Sequence, residues 1–313
     1  MVKNRKKLVL ATDYSGIFDN RMVIITGMSR SGTSILGKIA GSMEGAIYIF
    51  EPVIMRLLPA MAKTGHMDFG SASQLLKGIL FEDYYLQSLH GRNVNFKESD
   101  NSFIGNYQDI AAVKERWVKY ERREGVLEDI YKGKYTFLMK INEIHPLLPL
   151  LGKMFKGLRV IHIIRNCNAV ISSSMKRGWY TDEFLNRNMT QWMRAGAPKA
   201  PWFVPKEDII KFREWNRETR IAYAWRLLGK MAIDYGRGRD NYLEIKYEDL
   251  VRDPSRVASS CERFLNSKKT KITARHIKAV KEHVVTRHSD TTINIDSKER
   301  PYFERFMKEL GYL

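Results

Sequence analysis

Between Arg21 and Ala40 the chain reads RMVIITGMSRSGTSILGKIA, and its residue types could hold an anion. An apolar run leads into Gly27, then Met28, Ser29, Arg30, Ser31, Gly32, Thr33 and Ser34, and an amphipathic stretch follows. Glycines at 27 and 32 let the backbone turn tightly, so successive N–H groups face one concavity. The start of the next helix adds partial positive charge there. Ser31, Thr33 and Ser34 bring hydroxyls, and Arg30 brings a full charge. The two glycines have the spacing of the phosphate-binding pattern GxxxxGK[ST], with Ser34 at its hydroxyl position, but its lysine position holds Thr33. Without that lysine an NTPase loses its main contact to the β- and γ-phosphates. Ordinary ATP or GTP use is disfavoured, while an anion on a 5′-position remains explained.

Short apolar runs could supply the strands that position such a loop: Met22–Thr26, Ala46–Phe50, Thr136–Met139, Arg159–Ile164 and Tyr242–Lys246. They read as buried parallel strands. Amphipathic stretches of helical length lie between them, at Ser34–Ser42, Leu147–Phe155, Cys167–Arg177 and, as one long helix, Asp208–Tyr235. Alternating strands and helices predict an α/β fold, a parallel sheet covered on both faces in three layers. Residues 1–313 read as one domain with two insertions. The first, about 52–131, is helical in pattern with a polar loop near 91–106; the second, about 178–205, is rich in Trp, Pro, Arg and Asn. Insertions at the carboxyl ends of strands surround the ligand crevice of such a sheet, so both are expected to form acceptor-side lids.

Composition narrows the partners. Lys and Arg number 53 against 35 acids, a net charge of +18. The excess speaks of polyanions rather than of fold. The basic residues are spread along the chain, with clusters at Lys3–Lys7, Arg237–Arg239 and Lys268–Lys271. No nucleic-acid-binding motif accompanies them, and none is expected to bind. No apolar run approaches the length of a membrane-crossing helix. Leu8–Ala11 is too short for a signal-peptide core. The chain as given therefore reads as cytoplasmic, and a clipped lumenal domain would look the same. Cys167 and Cys261 have no metal-like spacing and are expected as buried thiols.

Four segments, in order, resemble the sulfotransferases that use 3′-phosphoadenosine-5′-phosphosulfate (PAPS). SRSGTS is similar to the family's 5′-phosphosulfate loop, and YIFEP at 48–52 to a segment of carbohydrate sulfotransferases. VIHIIRNCNAVISSS at 160–174 is similar to the 3′-phosphate segment, and YLEIKYEDLVRDP at 242–254 to the strand-plus-YEDL signature. The resemblance is nearest to the carbohydrate and tyrosylprotein enzymes. It spans about three-quarters of the chain and implies a P-loop nucleotide-kinase-like three-layer fold. One departure is Arg165-Asn166-Cys167 where Arg-Asp-Pro is common, so helix entry must rest on Asn166 as a cap.

The resemblance implies roles. PAPS is the co-substrate and adenosine 3′,5′-bisphosphate (PAP) the product, with no metal required. Ser31, Gly32, Thr33 and Ser34 would bind the phosphosulfate. Arg165 and Ser173, extended by Arg177, would clamp the 3′-phosphate. Arg30 would contact the donor and stabilise charge on the departing oxygen. Tyr247 reads equally as a donor contact or a packing residue. For the base, Glu51 ends the second strand, beside the first, and aligns with an acidic residue of the tyrosylprotein and carbohydrate enzymes. His145 or Glu143 is the alternative, near where cytosolic members place a histidine. Lys140 reads either as a contact to donor or acceptor or as a solvated strand-end lysine. The acceptor would be a small molecule, glycan or peptide, and YIFEP tilts it toward carbohydrate. Two rival functions are a nucleotide kinase or NTPase of the same fold and a non-catalytic polyanion-binding protein.

Overall fold

The computed structural model describes residues 14–120, 122–187, 199–282 and 293–313. Five parallel strands form its sheet: β1 (Met22–Thr26), β2 (Ala46–Phe50), β3 (Thr136–Lys140), β4 (Arg159–Ile164) and β5 (Tyr242–Lys246). Their order is β2-β3-β1-β4-β5. The apolar runs become strands because both faces of the sheet are buried, and every residue of β1 is buried.

Strand order departs from expectation in one respect. β2 is not beside β1, because β3 lies between them, with Ile25 opposite Lys140 on one side and Phe50 opposite Lys140 on the other. A parallel partner can be reached only through a crossover, and the 52–131 insertion is long enough to carry the chain over β2 and back into the gap.

Helices cover both faces, in chain order α1 (Thr33–Gly41), α2 (Ile54–Lys63), α3 (Phe69–Ile79), α4 (Leu148–Met154), α5 (Cys167–Lys176), α6 (Arg217–Gly236), α7 (Tyr247–Arg252), α8 (Pro254–Leu265), α9 (Lys271–Glu282) and α10 (Arg300–Glu309). Val23 and Ile25 of β1 pack with Leu36 and Ile39 of α1, Cys261 of α8 and Val280 of α9. Met22 and Ile24 face the other way, onto Leu76 of α3 and Leu151 of α4. A third cluster joins Val170 of α5, Trp225 of α6 and Phe306 of α10. Both cysteines are buried and free, and burial pushes the Cys261 thiol up to about 12.

The expected helix 208–235 is two. A short helix, Ile209–Glu214, stops at Trp215, and Asn216 starts α6 by accepting the Thr219 N–H at 2.8 Å. That cap satisfies a first-turn donor that a continuous helix would not leave open. The first insertion is mostly helical: α2 and α3 are followed by a π-helical turn, Leu80–Leu86. In the second insertion residues 188–198 lie outside the described residues; Ala200, Phe203 and Val204 pack into the third cluster.

Candidate functional site

The loop between β1 and α1 is held from three sides. Ser31 N–H donates to Met28 O at 3.1 Å and Leu36 N–H to Gly32 O at 3.1 Å, which closes the turn into the helix. Gly32 has φ +93°, and a Cβ there would overlap Cδ2 of Tyr247. At Gly27 a Cβ would overlap Ile163 O of β4. Both positions thus require glycine, one for conformation and both for approach. From β3's exit, Glu143 N–H donates to Gly27 O at 3.1 Å, and Glu143 Oε1 accepts the Ser29 N–H at 3.3 Å.

Two elements from β4 and β5 complete the cradle. Asn166 caps α5, its Oδ1 accepting the Asn168 N–H at 2.9 Å, as the local sequence implies. Ser173, on α5, accepts a hydrogen bond from Arg30 Nε at 2.9 Å. Arg165 donates through Nη1 to Arg30 O at 3.1 Å and lies 4.2 Å over the Tyr247 ring. Its own carbonyl accepts the Trp225 indole N–H at 2.9 Å. Arg177 stands exposed at the end of α5. Burial first, then Arg177 and Arg165, hold the Arg30 pKa below its usual value.

Two polar atoms in this cradle are buried without a partner among the described residues, Ser31 Oγ and Arg165 Nε. Buried donors left open in a structure otherwise paired are a specific cost. A bound anion would satisfy them, so these residues fit the phosphate-type ligand that the loop sequence implies.

A second group of side chains stands at the ends of β2 and β3. Lys140 Nζ pairs with Glu51 Oε1 at 2.5 Å and lies 4.6 Å over the Phe50 ring. The lysine side chain is 3% exposed and the carboxylate 32%, so the reading of Lys140 as a solvated strand-end lysine does not hold. Burial lowers its pKa, opposed by Glu51. Arg56 donates to Asn142 O at 2.8 Å and does not take Glu51. Glu51 and the loop both follow strands at the carboxyl edge of the sheet, with the end of β3 between them.

His145 is not exposed there. The residue is 1% exposed, both ring nitrogens lack partners among the described residues, and it packs edge-on against His162 at 5.3 Å. Burial, and next His162, hold its pKa well below 6.5. Glu143 serves as a brace of the loop.

The sequence left several contributors unread. Trp179 lies 5.9 Å from the Arg30 guanidinium. Glu248 accepts the Asn166 N–H and the Tyr312 hydroxyl, each at 2.9 Å, tying YEDL to the start of α5. The signal for Glu248 lay in its motif, whereas nothing local marks Trp179 or Trp225. Among the described residues four other than glycine and asparagine adopt positive φ, Arg30 (74°), Glu51 (46°), Glu143 (60°) and Tyr180 (65°). Such backbones are uncommon and gather at functional clefts; three of these four follow strand ends of this sheet.

A cavity of about 1300 Å³ lies elsewhere. It is lined by residues such as Ala46, Thr136 and Lys268, at the amino-terminal ends of β2 and β3. Among the described residues no group of three or more His, Cys, Asp or Glu could hold a metal ion, and no helix is long and apolar enough to cross a membrane.

The family model of the sulfotransferase domain matches residues 20–309. Among curated proteins none matches. Among solved structures, the chain is similar to the sulfotransferase domain of the Synechococcus PCC 7002 olefin synthase, at 14% identity and TM-score 0.47, over 94% of this chain and 96% of that one. It is also similar to a sulfotransferase from Alicyclobacillus acidocaldarius, at 13% identity and TM-score 0.42, over 94% of each chain. A mouse sulfotransferase complexed with PAP gives 11% identity and TM-score 0.40, over 95% of this chain and 86% of that one.

Proposed function

The chain belongs to the sulfotransferase-domain family, and from that premise we propose that it transfers a sulfonate group from PAPS to a hydroxyl or amine of an acceptor. The observation that carries the donor assignment is the junction of the two anion-binding segments. Arg30 of the β1 loop bonds Ser173 of α5, and Arg165 reaches back to Arg30 O. One ligand with an anion at each end is the simplest partner for both segments at once.

The roles follow from position. The N–H groups and hydroxyls from Ser31 to Ser34 bind the phosphosulfate end. Arg165 and Ser173, with Arg177 at the rim, hold the 3′-phosphate, and Tyr247 supports Arg165 from below. The donor supplies an activated sulfonate and leaves as PAP. Arg30 keeps its positive charge beside the departing phosphate oxygen and favours its release. Glu51 accepts the acceptor's proton as the acceptor oxygen or nitrogen bonds to sulfur. Lys140, buried against Glu51 and Phe50, orients that carboxylate and places a second cation near the reacting centre. No metal is needed for any of these roles. YIFEP favours a carbohydrate acceptor, but the surroundings of Glu51 favour a different class.

Thermal unfolding with nucleotide tests the donor. At about 100 times its dissociation constant PAP should add roughly 2.7 kcal/mol of stability. ATP with magnesium should add much less, because Thr33 stands where a phosphate-binding lysine would. Equal or greater stabilisation by ATP overturns the assignment.

A further inference from the structure

Beside the outer edge of β2 the fold carries a cavity of about 630 Å³ that opens to the surface, within the range of small-molecule sites, about 300–1,000 Å³. β2 supplies Tyr48, Ile49 and Phe50 to it, and the first insertion supplies Val53, Ile54, Tyr84 and Ile104. The π-helical turn Leu80–Leu86 brings Asp83 and Tyr84 onto the wall, and such turns recur at functional sites.

Two features connect the cavity with the chemistry. Phe50 is shared: it lines the cavity, and the Lys140 ammonium that pairs with Glu51 lies 4.6 Å over its ring. Glu51 and Pro52 lie between Phe50 and Val53 in the chain, so lining residues precede and follow the proposed base in sequence. The lining is also selective. It is mostly aliphatic and aromatic, and the single charged residue among the described lining residues is an acid, Asp83. Among the described residues no lysine or arginine lines it, in a chain whose net charge is +18. Some of its polar groups are already engaged. Asn95 donates to Ser102 Oγ at 2.7 Å, and Asn93 to Asp83 O at 2.9 Å.

We propose that this cavity is the acceptor site and that the acceptor is an uncharged alcohol or phenol with an apolar body. A sulfated or carboxylated glycan would leave water here with no cation to meet its charges. An apolar body instead gains from burial against Phe50, Ile54 and Tyr84. Its hydroxyl projects past Phe50 to Glu51. There the O–H proton passes to the carboxylate, the oxygen bonds to sulfur, and the sulfur–oxygen bond to the donor's phosphate breaks, releasing PAP. The inference rests on the sulfonate-transfer reading.

The test uses PAPS with 1-naphthol or N-desulfated heparin as probes, on the wild type, Ile54→Glu and Val53→Glu. Val53 is 37% exposed, so its variant should fold even where Ile54→Glu does not. PAP affinity serves as the control for the donor site. The expected result is that naphthol is sulfated, heparin is not, and each folded variant raises the naphthol KM at least about tenfold with PAP affinity unchanged. Preferential sulfation of heparin overturns the acceptor class and leaves sulfonate transfer standing. Naphthol turnover that ignores both substitutions places the acceptor elsewhere. A wild type that binds no PAP overturns the donor reading, and this inference with it.

Discussion

Arg30 Nε donates to Ser173 Oγ at 2.9 Å, joining two residues 143 positions apart in the chain. The loop after β1 and the helix after β4 therefore meet at a side chain. Arg165, bonded to Arg30 O and lying over Tyr247, doubles the link. The two halves of the proposed donor site are thus tied to one another by side chains as well as by the sheet.

Arg165→Ala should weaken PAP binding by about 1.5–3 kcal/mol, the usual worth of a hydrogen bond to a charged group. Calorimetric titration of a folded variant reads it directly. Unchanged affinity would move the 3′-phosphate contact to another residue.

Gly32→Ala should impair the cradle in two ways, through its φ of +93° and through overlap with Tyr247. Adding Tyr247→Ala should relieve the overlap and leave the backbone term, about 1–3 kcal/mol. Thermal unfolding and PAP affinity of the single and double variants separate the two. A double variant no better than the single one would show that the ring does not oppose the methyl group.

Glu51→Gln should leave PAP affinity nearly intact while turnover falls by about 10² to 10⁴. His145→Asn should keep its turnover, because that ring is buried against His162. Near-normal turnover in Glu51→Gln, or a comparable loss in a folded His145→Asn, would reverse the two roles.

Acid should destabilise the fold through His145. Its folded pKa is depressed by burial and His162, so the ring stays neutral in the fold and gains a proton on unfolding. The resulting stability is fully present above about pH 6.5, the unfolded value, and is lost as pH falls below it, by up to about 1.4 kcal/mol per pH unit. His276, also lowered by burial, adds to the same slope. The facing groups are His162, the Tyr242 hydroxyl on its Nδ1 at 2.9 Å, and Glu244 at 3.8 Å. Urea midpoints at pH 7.5 and 5.5 should differ less for His145→Phe than for the wild type. An identical difference would assign the acid sensitivity elsewhere.

All five strands were legible as short runs: β1, β3 and β4 are buried along nearly their whole length and leave few polar positions, whereas the edge strand β5 buries only Ile245; only the end of β3 runs one residue further, to Lys140. Strand order was not legible, since it depends on which gap a crossover enters rather than on local pattern. That is why Glu51 was expected beside β1 and stands one strand further out. The break at Trp215 could have been read: Asn216 followed three residues later by Thr219 is a cap before an apolar face. The cradle's residue types were visible as a motif. The Lys140–Glu51 pair was not, because it forms across two strands whose adjacency the sequence does not state.

The left-handed backbones at Arg30, Glu51 and Glu143 carry a consequence for evolution under heat. A glycine at any of these positions would relax the local conformation, and asparagine would tolerate it. Selection for thermal endurance alone would favour such replacements, since stabilising changes are readily found where a backbone is under strain. Each one would delete a side chain from the crevice: the cation on Ser173, the partner of Lys140, or the brace on Ser29. A heat-selected lineage freed from its reaction would therefore lose these three side chains early, while the sheet beneath them stayed intact.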